Sequence, residues 1–243
     1  MNNRGWLVVD ASICGAALAL VSQTTDEVKV SEFVHHPTSF GSAAAMGMFA
    51  SQLIAKAQKS DLNFAGVVVG NGPGSFTGIK IGLSFARGII QAQSHLQSIS
   101  YPALAALALY YAKSNASAIS CCILPATSSA GYFVLMRGDH MEAVGKVDLN
   151  VANKSIHFRS DAGVLMNTPS GCTFQIIETR ADFLAKFEAC ANGEVVRRAT
   201  MDQIGTDMRE ALKNWIATRP MMSTGIVEPV YIRNAAPDEN RAT

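Results

Sequence analysis

The stretch Gly70-Asn-Gly-Pro-Gly-Ser-Phe-Thr-Gly-Ile-Lys-Ile-Gly-Leu-Ser-Phe-Ala-Arg-Gly88 constrains the fold more than any other part of the sequence. It follows residues 65–69, Ala-Gly-Val-Val-Val, an apolar run typical of a central strand covered on both faces. Five residues with three glycines and a proline then force a tight turn, and an apolar-periodic segment over residues 75–93 reads as a helix. Ser75 is placed to cap that helix. The turn lacks the Walker A spacing and the spacing of a dinucleotide fingerprint. Two readings stay open: the free N–H groups at the helix start hold an anion, or the glycines only permit a sharp turn.

The helix carries a second signal. Gly74, Gly78, Gly82 and Ala86 recur every four residues and share one face. An interior glycine costs a helix about 1 kcal/mol relative to alanine. A smooth face of this kind lets another helix approach closely. Ile79, Leu83, Ile89 and Ile90 are expected on the other side, docking the helix on its own sheet. The helical segment 42–59 also has a small-residue face, with Ala43, Ala44, Gly47, Ala50 and Ser51. The two smooth faces form half of a four-helix interface with a partner, or they pack on each other.

Around this unit the order of elements is readable. Residues 6–10, 15–21 and 27–35 read as three strands joined as antiparallel hairpins, followed by the 42–59 helix. After the glycine turn and its helix come a short strand at 98–100 and a helix opened by Pro102 and running to Lys113. This β-β-β-α-β-α-β-α order is that of the ribonuclease-H-like lobe of the actin-like (ASKHA) class. Residues 119–124, 131–137 and 141–148 read as strands of a second, reduced lobe, and 181–191 and 206–218 as helices. The expected lobes are 1–110 and 111–243, with no internal repeat in the sequence.

Composition narrows the functional classes. The formal net charge is +1 and only 16% of residues are charged, with Arg197-Arg198 the nearest thing to a basic block. A chain that grips nucleic acid alone shows a basic face. The five cysteines (Cys14, Cys121, Cys122, Cys172, Cys190) include no CxxC pair and read as buried thiols of a reducing compartment. Asp10 interrupts what otherwise mimics a signal peptide, so a cytoplasmic, membrane-free protein is expected.

The 70–88 stretch closely resembles the Gly-x-Gly-Pro-Gly-Ser-Phe-Thr-Gly-Leu-Arg-Ile-Gly signature of the TsaB (YeaZ) family. Val8-Val-Asp-Ala-Ser12 resembles that family's opening Asp-Thr-Ser strand, and Tyr101-Pro-Ala-Leu-Ala-Ala-Leu-Ala108 its next helix. Glu228-Pro-Val-Tyr-Ile-Arg233 resembles its C-terminal Pro-x-Tyr-Leu-Arg. The resemblance covers about the first 110 residues and that one C-terminal stretch. It implies a non-catalytic subunit of the machinery that forms N6-threonylcarbamoyladenosine in tRNA. Such a subunit docks on a catalytic TsaD-like paralogue, joined by a TsaE-like ATPase, and contacts tRNA only indirectly. The resemblance also implies pairing through the helices flanking the glycine turn, and self-dimerisation through that face when the partner is absent. The expected interface residues are therefore Ala43, Gly47, Ala50, Gly74, Gly78, Gly82 and Ala86. The chain departs from the family at Ala11, at Lys80, and at Pro125-Ala126-Thr127, where Asp-Ala-Arg is usual.

The competing reading is an ATP-dependent kinase or transferase, or a peptidase, of the same class acting alone. A kinase of this class needs Asp-x-Gly turns in both lobes, but Asp10 is followed by Ala11-Ser12, and residues 125–131 contain no acid. No Gly-Gly pair exists for the adenine. His35 and His36 are adjacent at a strand end, while His95, His140 and His157 are isolated, so no metal set emerges from spacing. Asp10 reads as a turn acid at the first hairpin or as a relic metal-water ligand. No catalytic residue, cofactor site or metal site is expected.

Overall fold

The computed structural model describes residues 4–24, 27–37, 41–60, 62–114, 118–168 and 170–218. The Glu228–Arg233 motif lies outside them.

The first sheet begins with β1 (Arg4–Asp10), β2 (Ala16–Gln23) and β3 (Val28–His36), paired antiparallel in turn. Helix α1 (Ser42–Lys59) leads to β4 (Asn63–Gly70), which lies parallel to β1. Helix α2 (Phe76–Ala92) leads to β5 (Gln97–Tyr101), parallel to β4. The resulting order is β3-β2-β1-β4-β5. Helix α3 (Ala103–Ser114) then carries the chain into the second sheet.

That sheet contains β6 (Ile119–Pro125), β7 (Ala130–Arg137), β8 (His140–Asn150), β9 (Ser155–Ser160) and β10 (Leu165–Met166). It is completed by β11 (Thr173–Ile177), α4 (Ala181–Cys190), β12 (Val195–Ala199) and α5 (Met201–Thr218). Its order is β10-β9-β8-β7-β6-β11-β12. Strands β8-β7-β6-β11-β12 repeat the order and directions of β3-β2-β1-β4-β5, so the two lobes share one topology that the sequence does not display. The strands β9 and β10 stand where α1 stands in the first lobe. The second lobe is thus reduced in helices, although its sheet is the wider one.

Strand alternation divides the apolar residues among three cores. Leu7 and Val9 join Leu18 and Leu20 beneath α1 and α2. Trp6 and Val8 point the other way, into a central core shared by α3, α5 and the second sheet. Cys121 and Ile123 face the core under α4, whereas Cys122 and Leu124 face the central one. Neighbouring Cys121 and Cys122 therefore lie on opposite faces of the sheet, so both are packing residues. All five cysteines are free and buried.

Helix α3 shows why the lobes hold together. Nine of its twelve residues are buried, so it is apolar around nearly its whole circumference. The Tyr111 hydroxyl donates to Asp207 Oδ2 at 2.7 Å and ties α3 to α5. Among the described residues, no helix is long and apolar enough to cross a membrane.

Candidate functional site

The glycine turn is built by close approach. Gly72 sits at φ 100°, a conformation open mainly to glycine. Ser75 donates its backbone N–H to the Ser12 carbonyl at 2.7 Å, and its hydroxyl accepts the Gly78 N–H at 3.2 Å, which is the expected cap. A Cβ at Gly74 would overlap the Ser12 carbonyl oxygen, and one at Gly78 the Ala11 carbonyl oxygen. These two glycines exist so that α2 can press against the β1–β2 loop.

This contact corrects the expected orientation of α2. Gly78, Gly82 and Ala86 are buried together with Ile79 and Leu83, all on the side facing the sheet. A Cβ on Gly82 would lie 3.6 Å from Val69 Cγ2. At 100° per residue, Gly78, Gly82, Ala86, Ile79 and Leu83 fit within an arc of about 140°, so the small and branched residues share one buried face. On α1, Ala50 is buried, while Ala43 is exposed and Gly47 half-buried. Of the seven expected interface residues, Ala50, Gly74, Gly78, Gly82 and Ala86 therefore face their own lobe.

The outward surface of the two helices is different. Ala43, Thr77, Lys80, Ile81, Ser84 and Phe85 line an open groove of 470 Å³ between α1 and α2. Met48, also on α1, is 53% exposed. The Lys80 ammonium lies over the Phe76 ring, 4.0 Å from its centroid. Ala43 is among the residues expected at an interface, whereas the α2 side, Thr77, Lys80, Ile81, Ser84 and Phe85, is not, although turning the α2 helical wheel by half a turn exposes it.

A second concavity, of 490 Å³, lies between the lobes. It opens at the C-terminal ends of parallel strands, the usual ligand position in open α/β sheets. Its walls include Cys14, Gly74, Ser75, Phe76 and Thr77 from the first lobe, and Pro125, Ala126, Tyr132 and Arg180 from the second. Arg180 is its single charged lining residue among those described, and it is paired with Asp182 at 3.1 Å. The Pro125-Ala126-Thr127 turn closes on itself, with the Ala126 and Thr127 N–H groups donating to the Ala130 carbonyl at 2.9 Å.

Asp10 is 1% exposed. Its Oδ1 accepts from the Ser12 N–H and the Ser12 hydroxyl, both at 2.7 Å, and its Oδ2 accepts from the Tyr101 hydroxyl at 2.8 Å. Burial raises the carboxyl pKa, opposed by these hydrogen bonds. Oδ1 is thus occupied in holding the β1–β2 loop, and Oδ2 in tying the end of β1 to the end of β5. The residues present do not fit the magnesium-dependent nucleotide chemistry that this class can host, because no carboxylate lines the cleft among the described residues. His35 is likewise structural: its Nε2–H donates to the Cys14 carbonyl at 2.9 Å, and its ring lies against Gly205 of α5. Burial pushes the Cys14 thiol up to about 11, far from nucleophilic competence. Among the described residues, no three His, Cys, Asp or Glu side chains gather as a metal would require.

Two lobes of one ribonuclease-H-like topology facing each other across a cleft make up an actin-like fold. A family model described as TsaD, tRNA N6-adenosine threonylcarbamoyltransferase, matches residues 42–128, which run from α1 through β6. No curated protein gives a significant sequence match. Among solved structures, the chain is similar to a Pseudomonas aeruginosa protein described as uncharacterized with similarity to peptidase YeaZ. That likeness has a TM-score of 0.59 at 14% identity and covers 95% of this chain and 100% of the other. It is also similar to YeaZ from Pseudomonas aeruginosa, with a TM-score of 0.57 at 14% identity, covering 94% and 99%. These two likenesses show the fold that the glycine-turn motif led one to expect.

Proposed function

We propose that the chain is a partner subunit, without chemistry of its own, of the cytoplasmic complex that forms N6-threonylcarbamoyladenosine in tRNA. Its lobes, 1–110 and 111–243, serve as a scaffold: the first docks on a TsaD-like catalytic subunit, through which a TsaE-like ATPase and tRNA are reached. The observation that carries this reading is the outward groove between α1 and α2, where Ala43, Ile81 and Phe85 present small and apolar surface to solvent. Docking there removes that surface from water. The docking residues are Ala43 and Gly47 on α1 with Thr77, Lys80, Ile81, Ser84 and Phe85 on α2. Gly74, Gly78, Gly82, Ala86 and Ala50 act behind them by setting how closely the two helices lie on the sheet. When the partner is absent, the same face pairs two copies of the chain.

Light scattering on the chain alone, and on its mixture with the TsaD-type protein of the same organism, tests this reading. A heterodimer replacing the separate species is the expected result. Separate elution at micromolar concentrations would refute it.

A further inference from the structure

The two docking helices have an unusual charge pattern. Helix α1 reads Ser-Ala-Ala-Ala-Met-Gly-Met-Phe-Ala-Ser-Gln-Leu-Ile-Ala-Lys-Ala-Gln-Lys, and α2 reads Phe-Thr-Gly-Ile-Lys-Ile-Gly-Leu-Ser-Phe-Ala-Arg-Gly-Ile-Ile-Gln-Ala. Neither contains a carboxylate, although the chain has 19 Asp and Glu against 20 Lys and Arg. Together they carry Lys56, Lys59, Lys80 and Arg87, all exposed. Lys56 is paired with Glu32 of β3 at 2.9 Å. Lys80 is the one charged residue lining the groove among those described, and the Phe76 ring holds its ammonium at the rim. No salt bridge to Lys59, Lys80 or Arg87 is formed by the described residues.

We infer that this face selects an acidic partner surface over a second copy of itself, with a carboxylate of the partner helices meeting Lys80. The inference rests on the docking reading above and adds the chemistry of the partner. An isologous dimer brings the same groove onto itself, so Lys80, with no carboxylate lining the groove among the described residues, meets its own charge. An acidic partner meets complementary charge across the same apolar contact, which separates the right partner from the wrong one. The cation–π contact restrains the lysine before docking, so less side-chain freedom is lost when its carboxylate arrives.

The test measures affinity of the full chain for the TsaD-type protein at low and high salt, about 50 and 500 mM NaCl. It compares the natural chain with Lys80→Glu, Lys80→Met and Ser84→Trp, and follows self-association of each by light scattering. The expected result is that Ser84→Trp and Lys80→Glu each weaken the heterodimer at least about tenfold. Salt should weaken the natural heterodimer, and less so the Lys80→Met one, while strengthening self-association. If Ser84→Trp disrupts pairing but Lys80→Glu pairs like the natural chain at every salt concentration, the charge inference is overturned and the docking face stands. If neither substitution changes pairing, or no complex forms at all, the docking reading falls and the inference with it.

Discussion

The Cα of Gly78 lies against the backbone carbonyl of Ala11, leaving no room for a side chain between α2 and the β1–β2 loop. Gly74 makes the same kind of approach to Ser12 one turn earlier. The four-residue spacing of these glycines is therefore an intramolecular fit that clamps the glycine turn onto the loop that follows Asp10. Gly78→Ala is expected to lower the melting temperature by several degrees, since the obstacle is backbone and cannot rotate aside. Gly88, in the same helix with nothing within 4 Å of an added Cβ, gives the control. Gly88→Ala should stabilise by roughly 0.5–1 kcal/mol. Thermal unfolding of both variants checks the pair.

Residues behind the docking face and residues on it should respond differently. Gly82→Leu and Ala86→Trp force bulk into the packing between α2 and the sheet, where Ala86 is 3% exposed, and each is expected to cost about 1–3 kcal/mol or more. Ala43→Trp and Ser84→Trp add bulk on exposed positions and should change stability within about 0.5 kcal/mol while weakening pairing. Chemical denaturation beside a pairing assay separates the two groups. Equal loss of stability in all four variants would contradict the orientation of α2.

Much of the first lobe was legible because each element has a strong local signature. The 42–59 helix matches α1 at both ends, and the Ser75 cap forms as expected. The orientation of α2 was not legible from spacing alone. A four-residue repeat shows that Gly78, Gly82 and Ala86 share a face, but branched residues one position on lie only 100° away and can share it too. Which arc meets the sheet is decided by the β1–β2 loop, a contact between segments more than sixty residues apart. The second lobe faded after residue 150 for a different reason. Strand β9, Ser-Ile-His-Phe-Arg-Ser, has only Ile156 and Phe158 as apolar residues, and β11 buries Thr173 and Gln175 beside Phe174 and Ile176. Edge strand β12 carries Arg197 and Arg198. Tertiary pairing, not hydrophobic periodicity, makes these segments strands, and so the topological repeat of the two lobes stayed hidden.

Asp10 gives a prediction about pH. Its folded-state pKa is raised above the usual 3.8, so its contribution favours the folded state below that value. The contribution is lost as pH rises through the raised pKa, because the buried carboxylate must then be charged. Asp10→Asn keeps an acceptor for Ser12 and removes this titration. The stability of the natural chain relative to Asp10→Asn should therefore fall as pH climbs from below 3.8 to neutrality, as urea unfolding at a series of pH values would show. Tyr101→Phe removes one of the donors that oppose the shift and is expected to cost about 1–3 kcal/mol at neutral pH.

The proposed function makes tRNA modification depend on docking by this chain. The most direct measurement is threonylcarbamoyladenosine formation on tRNA by the reconstituted TsaD-type and TsaE-type proteins of the same organism. Each reaction would contain no added chain, the natural chain, Ser84→Trp, or the cleft variant Arg180→Ala. Modification should depend on the natural chain, fall with Ser84→Trp in proportion to lost pairing, and persist with Arg180→Ala. Modification at an undiminished rate without the chain, or a complete loss with Arg180→Ala while pairing is intact, would contradict the proposed function.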